Sequence, residues 1–298
     1  LQVHPLFIRW GDPGDLLAGQ FQPEMSNISL IQGLAYIYWE VSPTFFELGP
    51  LTFRWYGLLF AGGFFLGFFI MRWIYRREGK PEEDLDPLLI YMLIGTVVGA
   101  RLGHVFFYHP TYYLTHPAEI LQIWEGGLAS HGGLIGILVA LYLYSRTRPD
   151  QPYLWLLDRI AIPVALAGSF IRLGNLFNSE ILGIPTDLPW GFVFARVDEV
   201  ARHPVQLYES LSYLLIFVGL YWLYEKRGPD LARGVLTGWF LVTVFTARFV
   251  LEYFKMHQVA FAGDLPLRMG QLLSLPAIVI GLILVVKARQ TSPRVGAG

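Results

Sequence analysis

Seven apolar runs, near residues 55–75, 87–108, 128–145, 158–177, 206–224, 234–254 and 269–287, constrain this chain more than anything else in it. A helix needs about 20 apolar residues to cross the hydrocarbon core of a bilayer. Inside that core only helices and closed barrels satisfy their own backbone polar groups. Only 15% of the residues are charged and the mean hydropathy is +0.46, whereas soluble domains carry about 25% charge. The expected fold class is therefore all-α: a polytopic membrane protein with seven transmembrane helices and a small outer-face loop region. Glycines recur within the runs at helix-packing spacing, Gly63 with Gly67 and Gly95, Gly99 and Gly103 in tandem. Such spacing lets helix backbones approach closely in lipid.

Basic residues set the expected orientation. Arg72, Arg76, Arg77 and Lys80 follow the first run, Arg146 and Arg148 the third, and Lys226, Arg227 and Arg233 the fifth. Lys287, Arg289 and Arg294 lie in the tail, whereas 109–127 holds no Lys or Arg. The positive-inside rule places those basic loops in the cytoplasm, the N-terminus outside and the C-terminus inside. Residues 1–27 are polar and rich in Pro and Gly, without the basic-then-apolar order of a signal peptide. Residues 28–41 are apolar but too short to span, and read as interfacial. The domain expectation is an interfacial extension over 1–45, a transmembrane unit over 46–290 with an outer-face segment at 178–205, and a cytoplasmic tail over 291–298.

The polar residues inside this frame gather at one depth. Tyr56 opens the first span; Arg101 and His104 lie in the outer half of the second; His131 opens the third. Arg172 and Asn175 close the fourth, Gln206 and Glu209 lead into the fifth, Arg248 and Glu252 close the sixth, and Arg268 and Gln271 open the seventh. The densest stretch runs Arg172-Leu-Gly-Asn175-Leu-Phe-Asn178-Ser-Glu180-Ile-Leu-Gly183. An arginine at the centre of a membrane helix costs about 2.5–3.5 kcal/mol on insertion scales, so it marks a functional site by default. Arginine forks suit phosphate and remain charged when poorly solvated. Arg101, Arg172 and Arg248 together therefore suggest a phospholipid headgroup site. The plainer alternative makes Arg248–Glu252 a structural ion pair and lets Arg172 snorkel.

His131, within Ser130-His131-Gly132-Gly133, is suited to accept a proton near neutral pH, or caps its helix. Tyr56 beside Trp55 fits either a site or an interfacial belt, and Glu180 and Glu209 could orient the arginines. His104 and His203 read as structural. No HxxxH or HExxH spacing occurs, so no metal site is expected. With no cysteine in the chain, any thiol chemistry must use a substrate's thiol. The net charge of −1, without a long basic stretch, gives no reason to expect nucleic acid.

These motifs, in this order, resemble the bacterial prolipoprotein diacylglyceryl transferases over about 46–290. The supporting stretches are Gly49-Pro50 with Trp55-Tyr56-Gly57, Ala100-Arg101-Leu102-Gly103, Trp124-Glu125-Gly126-Gly127-Leu128 followed by His131-Gly132-Gly133, the 172–183 signature, Arg202-His203-Pro204 with Gln206-Leu207-Tyr208-Glu209, Arg248 with Glu252-Tyr253-Phe254, and Met269-Gly270-Gln271. The resemblance implies transfer of a diacylglyceryl group from phosphatidylglycerol to the lipobox cysteine of a prolipoprotein signal peptide, releasing glycerol 1-phosphate. It implies a site at the outer leaflet of the bacterial inner membrane, without cofactor or metal. His131, Arg172, Arg248, Tyr56 and Glu252 become the catalytic candidates. Arg172, Asn175, Arg248, Glu180, Gly183, Arg101 and Glu209 become the phosphatidylglycerol-binding candidates. Arg54, Val244 and Lys255 depart from residues common in the family, and the outer segment 184–201 is short. A transporter or scramblase using the same arginines without bond chemistry is the alternative reading.

Overall fold

A computed structural model describes residues 36–256 and 267–291. The expected spans each become a helix. These are α1 (Trp55–Arg77), α2 (Leu85–Tyr108), α4 (Ser130–Arg146), α5 (Tyr153–Asn178), α6 (Val205–Arg227), α7 (Val235–Leu251) and α8 (Met269–Thr291), with a short α3 (Pro110–Thr115) after α2. Six of them, all but α3 and α4, are long and apolar enough to cross a membrane. Helix α4, with 17 residues, reaches about 26 Å at 1.5 Å per residue, short of a core about 30 Å thick. The apolar run that predicts it starts at 128. Ala129, however, is extended, and its N–H bonds to the carbonyl of Ala100, so the helix begins later.

The helices alternate in direction, which gives the bundle two unlike ends. At one end, called here the basic end, lie Arg76 and Arg77 in the last turn of α1, Arg146 in that of α4, Lys226 and Arg227 in that of α6, and Arg289 in that of α8. Cations there also complement the helix dipoles. Helix α6 stops at Gly228, whose φ of 52° suits a residue without Cβ. The signature from Arg172 to Gly183 lies at the other end, the signature end.

Close packing follows the glycines. A Cβ on Gly99 would fall 2.5 Å from the carbonyl oxygen of Gly132, and one on Gly95 2.6 Å from the Cβ of Ala140, so α2 and α4 meet backbone to backbone. A Cβ on Gly63 would lie 3.0 Å from that of Ala167, which joins α1 to α5 in the same way. Between these two pairs lies an apolar cavity of about 210 Å³, lined among others by Phe60 and Gly67 of α1, Met92 and Thr96 of α2, Ile137 of α4, and Pro163 and Ile171 of α5.

A buried polar knot ties the basic end together. Glu78 accepts hydrogen bonds from Arg159 Nε (2.9 Å), Trp155 Nε1 (2.7 Å) and the Tyr224 hydroxyl (2.7 Å). Asp158, 1% exposed, accepts from the N–H groups of Gly234 (2.6 Å) and Thr237 (2.8 Å), so a carboxylate of α5 caps the start of α7. Gln151 joins Tyr75 (2.6 Å) to Asp84 (2.6 Å), and Asp84 pairs with Arg148 at 2.5 Å.

Short strands cover the signature end. β1 (Ile37–Tyr38) pairs in parallel with β4 (Phe192–Val193), which pairs antiparallel with β5 (Ala201–Arg202). Backbone bonds extend this sheet through Ile184 and Thr186 to Phe254 and Met256. A separate hairpin, β2 (Thr44–Leu48) and β3 (Leu51–Arg54), leads directly into α1. Residues 1–35 of the expected interfacial extension and 292–298 of the expected tail lie outside the described residues. Residues 36–45 are docked: Trp39 donates to the carbonyl of Leu176 at 3.0 Å and packs against Phe177.

Candidate active site

The last turn of α5 carries Arg172 and Asn175 on one face, as residues three apart on a helix must be. Arg172 Nη1 donates to Asn175 Oδ1 at 3.3 Å, and Asn175 Nδ2 donates to Glu180 Oε2 at 3.2 Å. Glu180 also accepts from Asn178 (2.9 Å), while its carbonyl takes the Gln206 amide at 2.6 Å. The turn that brings Glu180 back passes through two left-handed residues, Ser179 (φ 55°) and Ile181 (φ 57°). That conformation is unusual for a β-branched side chain and costs on the order of 1–3 kcal/mol, strain typical of functional sites. It is held by the bond from Glu180 N–H to the Asn175 carbonyl and by the strand contacts of Leu182 and Ile184.

From Arg172 a chain of buried charge runs across three segments. Arg172 Nε lies 3.0 Å from Glu209 Oε2, and Glu209, in the second turn of α6, is 0% exposed. Lys255 Nζ lies 2.8 Å from the other Glu209 oxygen and 3.2 Å from Glu252. Arg268 donates to the carbonyls of Glu252 (2.5 Å) and Lys255 (2.6 Å), which fixes this turn from the start of α8. Gly270 is required beside it: a Cβ there would stand 2.5 Å from the carboxylate carbon of Glu252. The carboxylates that lie 0% and 13% exposed are thus matched by cations, as buried charges must be.

Arg248 differs from Arg172. It is half-buried in the last turn of α7, and among the described residues it forms no ion pair or hydrogen bond. Its charge and that of Arg172 both act on the Tyr213 hydroxyl, so both guanidinium groups lie within electrostatic reach of that one side chain. The ion pair Arg248–Glu252 of the plainer alternative does not form; Glu252 turns to Lys255 instead. Tyr56 joins this group. Its ring covers Gly174, where a Cβ would meet it at 2.7 Å, and it lies within electrostatic reach of Glu180 and Arg172.

Gly183 is enclosed by backbone. It bridges Lys255, its carbonyl accepts from Arg202 at 3.4 Å, and a Cβ would meet the His203 carbonyl and, at 2.8 Å, the Val205 side chain. Outside the spans, Arg202 also donates to Asp198 at 2.5 Å, which holds that carboxyl below the usual carboxylate range. His203 packs on Phe254 and shares a 3.2 Å hydrogen bond with Tyr208.

Arg101 and His131 stand on the α2–α4 pair. Arg101, 5% exposed, spends its guanidinium on carbonyls, those of Ile120 (2.9 Å), Glu119 (2.5 Å) and Gly126 (2.7 Å). It therefore braces the 119–127 segment and is not gathered with Arg172. His131 is exposed in the first turn of α4, edge-on to Phe107 at 5.0 Å between centroids. No cluster of metal-ligating side chains occurs among the described residues.

Sequence reasoning noted Lys255 only as a departure and missed its place between two carboxylates. Its three-residue spacing from Glu252 was the available signal; its link to Glu209 had none. The same reasoning passed over Glu78, Asp158 and Arg159, whose charges at span ends look ordinary until packing buries them.

The prolipoprotein diacylglyceryl transferase family model matches residues 43–287. A relative from Chloroherpeton thalassium, a phosphatidylglycerol–prolipoprotein diacylglyceryl transferase, is 56% identical over 85% of this chain and 95% of its own length. Relatives with that same name from Tolumonas auensis and Porphyromonas gingivalis are 52% and 45% identical, over 87% and 85% of this chain and 100% and 95% of their own. With the match spanning every helix except the last four residues of α8, and every residue of the charged chain, the protein belongs to the prolipoprotein diacylglyceryl transferase family.

Proposed function

We propose that this protein transfers the diacylglyceryl group of phosphatidylglycerol to the thiol of a prolipoprotein cysteine. The observation that carries the reading is the pair of unlike arginines acting on Tyr213: Arg172 immobilised by Glu209 and Asn175, and Arg248, which has no hydrogen-bond or ion-pair partner among the described residues. One guanidinium held by side chains and one without a partner among the described residues suit a phosphodiester that must be gripped and then released as a phosphate monoester. The apolar cavity ends at Ile171, beside Arg172, and supplies room for an acyl chain below the headgroup.

In the proposed reaction the sulfur attacks the sn-3 carbon of the lipid glycerol. The carbon–oxygen bond to phosphate breaks, and glycerol 1-phosphate leaves with the electron pair. Arg172 and Arg248 stabilise the charge growing on that oxygen, the kind of contribution usually largest in such steps. His131, on the helix pair forming the other wall of the cavity, takes the thiol proton and passes it to water. Asn175, Glu180 and Glu209 hold Arg172; Glu252 holds Lys255; Tyr56 packs beside them; Gly183 keeps the strand close to Lys255, and Arg101 fixes the loop above His131. The arginines' positive potential also favours thiolate in a substrate whose free thiol titrates near pH 8.5, a value of about that size being typical.

The basic end faces the cytoplasm in this reading, by the positive-inside rule, and α4 crosses as a seventh, shorter span in contact with α2. The N-terminus is then outside, the C-terminus inside, and the site faces the outer leaflet of the bacterial inner membrane. Purified protein, phosphatidylglycerol and a lipobox peptide, analysed by mass spectrometry, test the reading. A thioether-linked diacylglycerol on the cysteine is expected, and its absence with active-site residues intact refutes the assignment.

A further inference from the structure

The β2–β3 hairpin has two unlike faces. Phe46 pairs with Phe53, their rings stacked at 4.3 Å, and Leu48 pairs with Leu51. Alternation along a strand puts these residues on one face. The opposite face carries the Glu47–Thr52 pair. Phe45 sits at an irregularity in the register and turns to the base, where it meets Trp55 at 4.4 Å. Among the described residues nothing covers the apolar face: Phe46 is 42%, Leu51 58% and Leu48 64% exposed.

From this amphipathic face we infer that the hairpin is a membrane-interface anchor, lying on the bilayer at the signature end with Phe46, Leu48, Leu51 and Phe53 turned into the lipid. Two further observations favour lipid as what covers it. First, β3 runs into α1 with no linker, Arg54 being the residue before the helix and Trp55 its first. The hairpin therefore starts at the depth where a 23-residue apolar span ends, and that helix itself exposes apolar side chains, among them Leu58, Phe65 and Phe69. Second, its base is fixed: Trp55 stacks on Phe177 at 4.7 Å, next to Asn178 of the signature. A strand of five residues extends only about 17 Å at 3.3 Å per residue, so the tip at Gly49-Pro50 cannot leave the interfacial zone if the ribbon lies flat. Apolar residues on one face and polar on the other is the pattern that binds a lipid surface in plane.

The chain has no cysteine, so single cysteines can be placed and nitroxide-labelled without background. Leu48→Cys and Leu51→Cys report the apolar face; Glu47→Cys and Thr52→Cys report the other. In liposomes containing phosphatidylglycerol, collision rates with oxygen and with a water-soluble nickel chelate give the depth of each label. The expected result is a change of sign between neighbours, with oxygen dominant at 48 and 51 and nickel dominant at 47 and 52. Nickel dominance at all four sites overturns the inference. So does low access to both agents at 48 and 51, which would mean that protein covers the face, from residues 1–35 or a second copy. NBD fluorophores on the same cysteines give a second reading: emission shifted to the blue at 48 and 51 alone supports the anchor, and equal emission at all four sites opposes it. Neither readout depends on transferase activity, so the test stands apart from the proposed reaction.

Discussion

Arg172 illustrates how much of the candidate site depends on geometry as well as charge. Its Nε faces Glu209 and its Nη1 faces Asn175, so the fork is aimed before any lipid arrives. Arg172→Lys keeps the charge and loses the fork; turnover should fall by about 10²–10³, the scale seen when one preorganised donor is removed. Steady-state kinetics with phosphatidylglycerol decide this, and near-normal turnover would remove the fork from the mechanism. Glu209 is the more fragile partner, since among the described residues it alone pairs with both Arg172 and Lys255. Glu209→Leu leaves two buried cations without their shared carboxylate and should cost about 3–5 kcal/mol, as breaking a buried pair does. A thermal-melt series in detergent measures it, and Lys255→Arg, which retains a cation between the two carboxylates, should melt close to the parent. The signature was legible in the sequence because charge inside an apolar run is conspicuous. The partnership of Lys255 with Glu209 was not, because it joins a loop lysine to a helix far away along the chain.

At the level of elements, the glycine contacts and the crossed cap make predictions of opposite kind. Gly99→Leu must push α2 off α4, since even a Cβ would lie 2.5 Å from the Gly132 carbonyl oxygen; folded yield should collapse. Gly219→Ala on α6, where a Cβ meets nothing within 4 Å, should be neutral or stabilising by about 0.5–1 kcal/mol. Size-exclusion profiles of the two variants give the comparison directly. Asp158→Ala removes the acceptor for Gly234 and Thr237 N–H groups, and a buried unsatisfied group costs about 1–3 kcal/mol; the loss is read as a lower melting temperature. Helix positions were legible almost to the turn, because length and hydropathy fix them. The strands of the signature end were not: β1, β4 and β5 hold two residues each, too few for any alternation to show, and their pairing is decided by the helices that carry them together.

For the molecule as a whole, acid offers a probe of the strand layer apart from the spans. Hydrogen bonding by Arg202, the largest cause, keeps the Asp198 carboxyl below its ordinary value. A group depressed on folding stabilises fully above its unfolded pKa, about 3.9 for Asp, and that contribution is lost as pH falls through the folded value. Thermal midpoints should therefore decline on acidification below about pH 4, and Asp198→Asn should flatten that decline. The knot at the basic end has a mechanical consequence. Glu78, Asp158 and their partners fasten α1, α5, α6 and α7 where those helices are farthest from the signature. A fastened end is a fulcrum, and the helices above it are lever arms. Over the 17 residues of α7, at 1.5 Å per residue, a tilt of about 5° moves the end that carries Arg248 by about 2 Å. Small angular play at the pivot thus becomes a displacement on the scale of a side-chain contact at the Arg248 end, and none of the buried charge at the base has to move for it.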